Sequence, residues 1–173
     1  MAGAEPLWVV GQLTKKHVRD AFHSGEPALD EFLKKHARQN AERGISRTFV
    51  AVRRGALAVD GYYTLRSGAV TFESLPDEVR KTLPRYPVPV VHLARLAVSK
   101  EARGMGLGET LLLHAFEKAI AVENEIGVYA VEVMAKTDGA KSFYERYGFR
   151  SLRDDRFHMY ISMRTIRAAL SGA

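Results

Sequence analysis

The chain has 173 residues, a formal net charge of +6, 46% hydrophobic and 27% charged residues, and no cysteine. That length builds one domain with a real core, and the composition is globular rather than disordered. The lack of cysteine excludes disulfide frameworks, thiolate metal sites and cysteine nucleophiles. No apolar run approaches the roughly 20 residues that span a bilayer, and the first ten residues lack a basic region followed by an apolar one. A single domain over residues 1–173, cytoplasmic and not membrane-bound, is therefore expected. The positive excess favours anionic partners such as nucleotides or nucleic acid.

In chain order, Thr14 is placed to cap a short helix over residues 14–22, and Gly25 marks a turn. Pro27 suits the first turn of a second helix ending at Gly44, with Leu29, Phe32, Leu33 and Ala37 on one face. Residues 47–52 alternate as a strand and 57–65 return as its hairpin partner, with Gly61 a candidate bulge. A weaker strand covers 69–73, one or two helical turns fit 76–83, and three prolines keep 84–89 extended. Residues 90–98 form a strand with few polar positions, as expected near a sheet centre. An amphipathic helix over 107–124 places Leu111, Leu112, Ala115, Ala119 and Val122 on one face. A strand over 128–135 follows, then a helix capped by Asp138 and stopped by Gly148. Two closing strands (149–152 and 156–163) and a short helix (165–170) end the chain. Alternating strands and helices define an α/β class with layered architecture.

The segment Arg103-Gly104-Met105-Gly106-Leu107-Gly108 joins the apolar strand to the amphipathic helix. A helix start leaves backbone N–H groups unpaired and carries partial positive charge. Glycines let the backbone approach an anion without a Cβ in the way, so the segment reads as a diphosphate cradle, with Arg103 a charged donor at its edge. A P-loop would require Gly-Lys-Ser/Thr, but Glu109-Thr110 follows the glycines. A dinucleotide fingerprint would require a third glycine where Glu109 stands.

With strand, Arg103-x-x-Gly106-x-Gly108 and helix in this order, the sequence resembles the GNAT acetyltransferase superfamily. Leu93-Ala94-Arg95-Leu96-Ala97-Val98 and the late Ala140-x-x-Phe143-Tyr144-Glu145-x-x-Gly148-Phe149 carry the same resemblance. It implies a mixed, mostly antiparallel sheet flanked by helices, with a V-shaped splay between central strands. It implies acetyl-CoA as cofactor, held by the loop, by the strand backbone at Leu96, Ala97 and Val98, and by Lys136 and Phe143. A narrower resemblance lies in Phe22-x-Ser24-Gly25-x-x-x-Leu29-Asp30-x-Phe32-Leu33, which is similar to the opening of the GNAT toxins of toxin–antitoxin modules (TacT/AtaT type). That subfamily implies acetylation of the α-amino group of aminoacyl-tRNA, which blocks translation. It also implies a ribbon-helix-helix antitoxin as partner and a homodimer. Alternatives in view are an ordinary acetyltransferase for a small amine or protein N-terminus, and a non-catalytic acyl-CoA-binding regulatory subunit.

Acetyl transfer to an amine needs an ammonium deprotonated, an oxyanion stabilised and a leaving thiolate protonated. An α-amino group, with a pKa near 8, is about a tenth neutral at pH 7 and needs less help from a base than lysine. Phe143 and Tyr147, four residues apart, are expected to pack together in the core. Tyr144, rotated about 100° from Phe143, is free to point elsewhere, and the resemblance makes it the general acid. Arg95, in an apolar strand, is expected to reach an anion or a carboxylate. His92, on the opposite strand face from Arg95, and Glu73 are the nameable bases, and both stand outside the principal assignment. Lys34, Lys35 and Arg38 form a basic helix face suited to RNA phosphates, and Arg146, Arg150 and Arg153 extend that charge past Tyr144. The histidines show no metal-like spacing, so no metal is expected.

Overall fold

The computed structural model describes residues 3–172. A seven-stranded sheet has the order β1-β2-β3-β4-β5-β7-β6, formed by β1 (Trp8–Gln12), β2 (Arg47–Arg53), β3 (Val59–Val70), β4 (Val88–Val98), β5 (Ala130–Met134), β6 (Arg150–Ser151) and β7 (His158–Ser162). β4 and β5 pair parallel over only four rungs, from Val90↔Ala130 to Leu93↔Val133, although β4 runs on to Val98. The pairs β1–β2, β2–β3, β5–β7 and β6–β7 are antiparallel. The chain folds as two compact units, one of residues up to Arg66 with Arg95–Ala115, the other of Ser67–Ala94 with the residues from Phe116 onward.

The first unit gathers Phe22, Phe32, Leu33, Ala37, Val50, Val59, Tyr62 and Ala97 into a core. Helix α1 (Pro27–Glu31) passes through a π-helical turn (Phe32–His36) into α2 (Ala37–Glu42). The Arg19 guanidinium donates to the Leu33 carbonyl (2.9 Å) and the Lys34 carbonyl (3.3 Å) of that turn, as expected where a wider turn frees backbone acceptors. The helix expected over 14–22 does not form. Val18 instead bonds to the backbone beside it, from Val18 N–H to Leu57 C=O (2.8 Å) and from Val59 N–H to Val18 C=O (3.0 Å), so strand pairing supersedes local propensity. β1 was not anticipated. The β2–β3 register slips between Ala51 and Val52, which face Gly61 and Val59, so the irregularity lies beside Gly61.

Gly61 has a second reason to lack a side chain. An added Cβ would sit 2.9 Å from Leu111 Cδ1, 3.0 Å from Leu107 Cδ2 and 3.1 Å from the Ala97 carbonyl. The hydroxyl of Tyr63 bonds His114 Nδ1 at 2.6 Å.

The second unit packs Val70, Leu75, Val88, Val90, Ala130, Leu152 and Tyr160 together. Short α3 (Asp77–Arg80) precedes β4; α4 (Leu107–Glu123), α5 (Asp138–Arg146) and α6 (Met163–Ser171) complete the helices. Along α4, Leu111, Leu112, Ala115 and Ala119 are buried as expected, but Val122 is exposed, because no side chain after Ala119 in this helix is buried. Thr137, not Asp138, caps α5: its hydroxyl accepts from the Ala140 N–H at 3.1 Å. No helix is long and apolar enough to cross a membrane among the described residues.

Candidate active site

In the first unit the glycine loop leaves β4 through a 3-10 turn (Lys100–Ala102) and enters α4 at Leu107. Gly104 (φ +75) and Gly106 (φ +83) occupy the left-handed region, and a Cβ at either would meet nothing within 4 Å. The glycines are therefore required by backbone conformation, and the space they border is open. Open space, left-handed glycines and the unpaired N–H groups at the start of a 17-residue helix fit a pyrophosphate.

Arg103 is turned back into the protein. Its guanidinium donates to the Ser24 carbonyl, and the Lys100 N–H donates to the His23 carbonyl at 2.9 Å. Ser24 in turn donates to Asp30 Oδ1 from its backbone N–H (2.9 Å) and its hydroxyl (2.6 Å), while His23 lies 3.4 Å from the other carboxylate oxygen. Burial opposes ionisation of Asp30, but the bonds from Ser24 and His23 outweigh it and hold the carboxyl below its ordinary range. Gly25 (φ +96) turns the chain tightly against Lys100 and Arg103. Ser24, Gly25 and Asp30 of the N-terminal signature thus act as one clasp against the glycine loop.

Lys34 and Lys35 are exposed and Arg38 half-buried on the helix surface. Lys35 pairs with Glu31 (3.4 Å) and Arg38 with Glu42 (3.6 Å); exposed pairs of this kind are weak. Arg95 has no carboxylate within 4 Å among the described residues. Its guanidinium covers the Phe32 ring at 3.7 Å, a cation–π contact. On the same strand Ala97 is buried, and Leu96 and Val98 are half-buried.

In the second unit Tyr144 is 7% exposed and held edge-on by Phe143 (5.2 Å) and Phe149 (5.1 Å). Its hydroxyl has no hydrogen-bond partner among the described residues, yet it is not one of the polar atoms sealed from solvent. A buried ring thus ends in a reachable O–H, and burial pushes its pKa up, which keeps the phenol protonated. Phe143 and Tyr147 do pack together, at 5.0 Å, but on a half-buried surface. Lys136 is exposed, as is Glu73. Arg150 and Arg153 bond Glu78 (2.7 Å) and Asp77 (3.0 Å), and Arg146 lies 5.9 Å from the Phe143 ring centre, so the basic extension is largely engaged.

One cluster in this unit was not anticipated as a cluster. Glu132 on β5 is buried and faces His92 of β4 across the rung His92↔Glu132. His92 Nδ1 bonds Glu132 Oε1. His158 Nε2 lies 3.3 Å from Glu132 Oε2, and its Nδ1 lies 2.8 Å from Asp154. Burial disfavours the Glu132 carboxylate, but hydrogen bonds and charge from His92 and His158 overcome that and lower its pKa. Burial likewise disfavours the His158 cation, and Asp154 and Glu132 reverse the balance and raise its pKa. The strand register carried the signal, since His92 and Glu132 fall on one face of paired parallel strands. That pairing is not readable without knowing which strands neighbour each other.

Comparison with known proteins agrees with this geometry. Residues 44–151 match the family described as "Acetyltransferase (GNAT) domain". A "tRNA-acetylating toxin" of Mycobacterium tuberculosis (strain ATCC 25618 / H37Rv) is 39% identical over 150 residues, 87% of this chain and 89% of that protein. The crystal structure of a tyrosine-to-phenylalanine mutant of KacT superposes with a TM-score of 0.90 at 27% identity, covering 95% of this chain and 99% of the other. AtaT complexed with acetyl-methionyl-tRNAfMet gives a TM-score of 0.88 at 27% identity, covering 94% and 99%.

Proposed function

Because the chain belongs to the family of GNAT acetyltransferase domains, it is an N-acetyltransferase using acetyl-CoA, and we propose that its acceptor is the α-amino group of aminoacyl-tRNA. The observation that carries this reading is the 39% identity, along nearly the whole of both chains, to a tRNA-acetylating toxin. An α-amide in place of the amine removes the nucleophile needed for peptide-bond formation, so the protein would act as a toxin that stops translation in the cytoplasm, with the whole chain working as one acetyltransferase domain.

In this reading the backbone of Gly104, Met105, Gly106, Leu107 and Gly108 takes the pyrophosphate of acetyl-CoA, with Arg103 fixing the loop from behind through Ser24. The backbone at Leu96, Ala97 and Val98 would meet the pantetheine arm, and Lys136 and Phe143 are further residues assigned to acetyl-CoA. Acetyl-CoA supplies the activated thioester. Tyr144, kept protonated by burial, donates its proton to the departing sulfur. Lys34, Lys35, Arg38 and Arg95 meet RNA phosphates. A ribbon-helix-helix antitoxin whose tail covers this basic face is the partner, and the protein acts as a homodimer.

A cell-free translation reaction tests the function. Added protein should arrest synthesis only when acetyl-CoA is present, and Tyr144→Phe protein should not arrest it. Arrest without acetyl-CoA, or translation that continues with it, would overturn the proposal.

A further inference from the structure

Glu132 is the least exposed charged side chain of its cluster and the only one that touches both histidines. The array places β4, β5 and β7 in one line: His92, Glu132, His158 and, from the loop before β7, Asp154. From β7, Tyr160 stands opposite Glu132 in the strand register; from β3, Gly68 packs at His92, where an added Cβ would lie 3.4 Å from the His92 Cβ. An ionised carboxylate only accepts hydrogen bonds. Glu132 therefore requires the proton of the neutral His92 ring to sit on Nδ1, which leaves the lone pair on Nε2. No hydrogen-bond partner of Nε2 is found among the described residues, and the side chain of His92 keeps 26% of its surface. His158 has a carboxylate at each nitrogen and donates to both, so its cation balances Glu132 from the far side.

This is the arrangement of an oriented base: a carboxylate fixes the tautomer and supports the imidazolium that forms. The rung His92↔Glu132 is the last but one before β4–β5 pairing ends at Leu93↔Val133, and Tyr144 belongs to the same compact unit. A purely structural pair at a sheet centre would be expected to bury both partners, whereas here the carboxylate is buried and the histidine reaches solvent.

We propose that His92, oriented by Glu132, is the catalytic base that takes the proton from the acceptor's ammonium group. The inference rests on the amine-acetylation reading above. One ammonium N–H bond breaks and its proton goes to His92 Nε2. The freed lone pair forms the C–N bond at the thioester carbon. The C–S bond breaks with its electron pair on sulfur, which receives the Tyr144 proton. The second proton lost from nitrogen restores Tyr144, and His92 releases its proton to water. Glu132 is a positioning residue, and His158 with Asp154 holds Glu132 in place.

The test compares wild type, His92→Gln and Glu132→Gln for acetylation of charged tRNA at about pH 7 and about pH 8.5. An α-amino group with a pKa near 8 is about one tenth neutral at the lower pH and mostly neutral at the higher. His92→Gln should lose about tenfold in kcat/KM at the lower pH and stay within about twofold of wild type at the higher. Glu132→Gln should show a smaller loss with the same pH dependence. Imidazole added to His92→Ala should restore activity at the lower pH. An equal loss at both pH values, no loss at either, or a failure of imidazole to rescue an otherwise folded His92→Ala protein would overturn the role. If wild type labels a small amine and not tRNA, the acceptor reading fails separately, and the same comparison on that amine decides the role of His92.

Discussion

The Arg103 guanidinium donates to the carbonyl of Ser24, 79 positions earlier in the chain. One nitrogen of the side chain that the motif suggests for the phosphate is thus held by the Ser-Gly turn, and the turn is locked by Asp30 through two bonds from Ser24. If the loop holds acetyl-CoA as proposed, its affinity should depend on Asp30 through these bonds. Asp30→Ala leaves the buried Ser24 N–H without its acceptor, and its hydroxyl with only the Glu26 carbonyl at 3.4 Å, at a cost of about 1–3 kcal/mol. For a protein of this size that lowers Tm by roughly 2–4 °C per kcal/mol. Thermal denaturation should show that drop, and calorimetric titration should show weaker acetyl-CoA binding. Unchanged cofactor affinity would detach the clasp from the loop.

Tyr144→Phe removes one oxygen from a ring that is otherwise held by Phe143 and Phe149. The hydroxyl makes no hydrogen bond among the described residues, so fold and acetyl-CoA affinity should be preserved while kcat falls by about a hundredfold or more, the range of general acid–base catalysis. Steady-state rates alongside equilibrium binding check this. Full activity would remove Tyr144 from the mechanism.

Gly61 lies against the Leu107 and Leu111 side chains at the start of α4. Gly61→Val would overpack this contact, at a cost of about 1–3 kcal/mol, and displace the helix whose N-terminus is the proposed phosphate cradle. Both Tm and acetyl-CoA affinity should fall together, whereas a surface substitution such as Glu117→Gln should alter neither.

His158 and Glu132 give stability opposite pH dependences. The pKa of His158 is raised above 6.5 in the folded state, so its contribution is full below that value and is lost as the pH rises through the folded pKa. Glu132 is held below 4.5, so its contribution is full above that value and is lost as the pH falls through the folded pKa. The Tm deficit of His158→Gln should therefore be greatest between about pH 4.5 and 6.5 and should shrink as the pH is raised further. A deficit that does not vary with pH would show that packing, not the charge, is what His158 contributes.

The proposed RNA-facing role of α1–α2 divides unevenly among its cations. Lys35 and Arg38 have carboxylate partners, while Lys34 has none within 4 Å among the described residues. Lys34→Glu should therefore weaken tRNA acetylation more than Lys35→Glu, reduce its salt dependence, and leave acetyl-CoA binding intact. Filter binding across a salt series would measure it, and identical effects of the two substitutions would contradict it.

The features legible in the sequence are those set by local chemistry. The glycine loop, the helix behind it and the Phe143-Tyr144 helix each declare themselves within a dozen residues, because left-handed glycines and apolar periodicity act at short range. The misplaced features are those that distant partners decide. Residues 14–22 have a capping threonine, yet Val18 pairs with the backbone around Ala58. The Phe32 ring beneath the Arg95 guanidinium is likewise a neighbour that strand alternation does not reveal. His92 and Glu132 are 40 residues apart, and only the β4–β5 register turns two unremarkable residues into a dyad.

The most direct measurement is to incubate the protein with labelled acetyl-CoA and charged total tRNA, then release the aminoacyl groups and identify those that carry label. The account predicts N-acetyl-aminoacyl-tRNA, with label on the α-amino group and none on deacylated tRNA. Unlabelled tRNA beside a labelled small amine or protein N-terminus would contradict it.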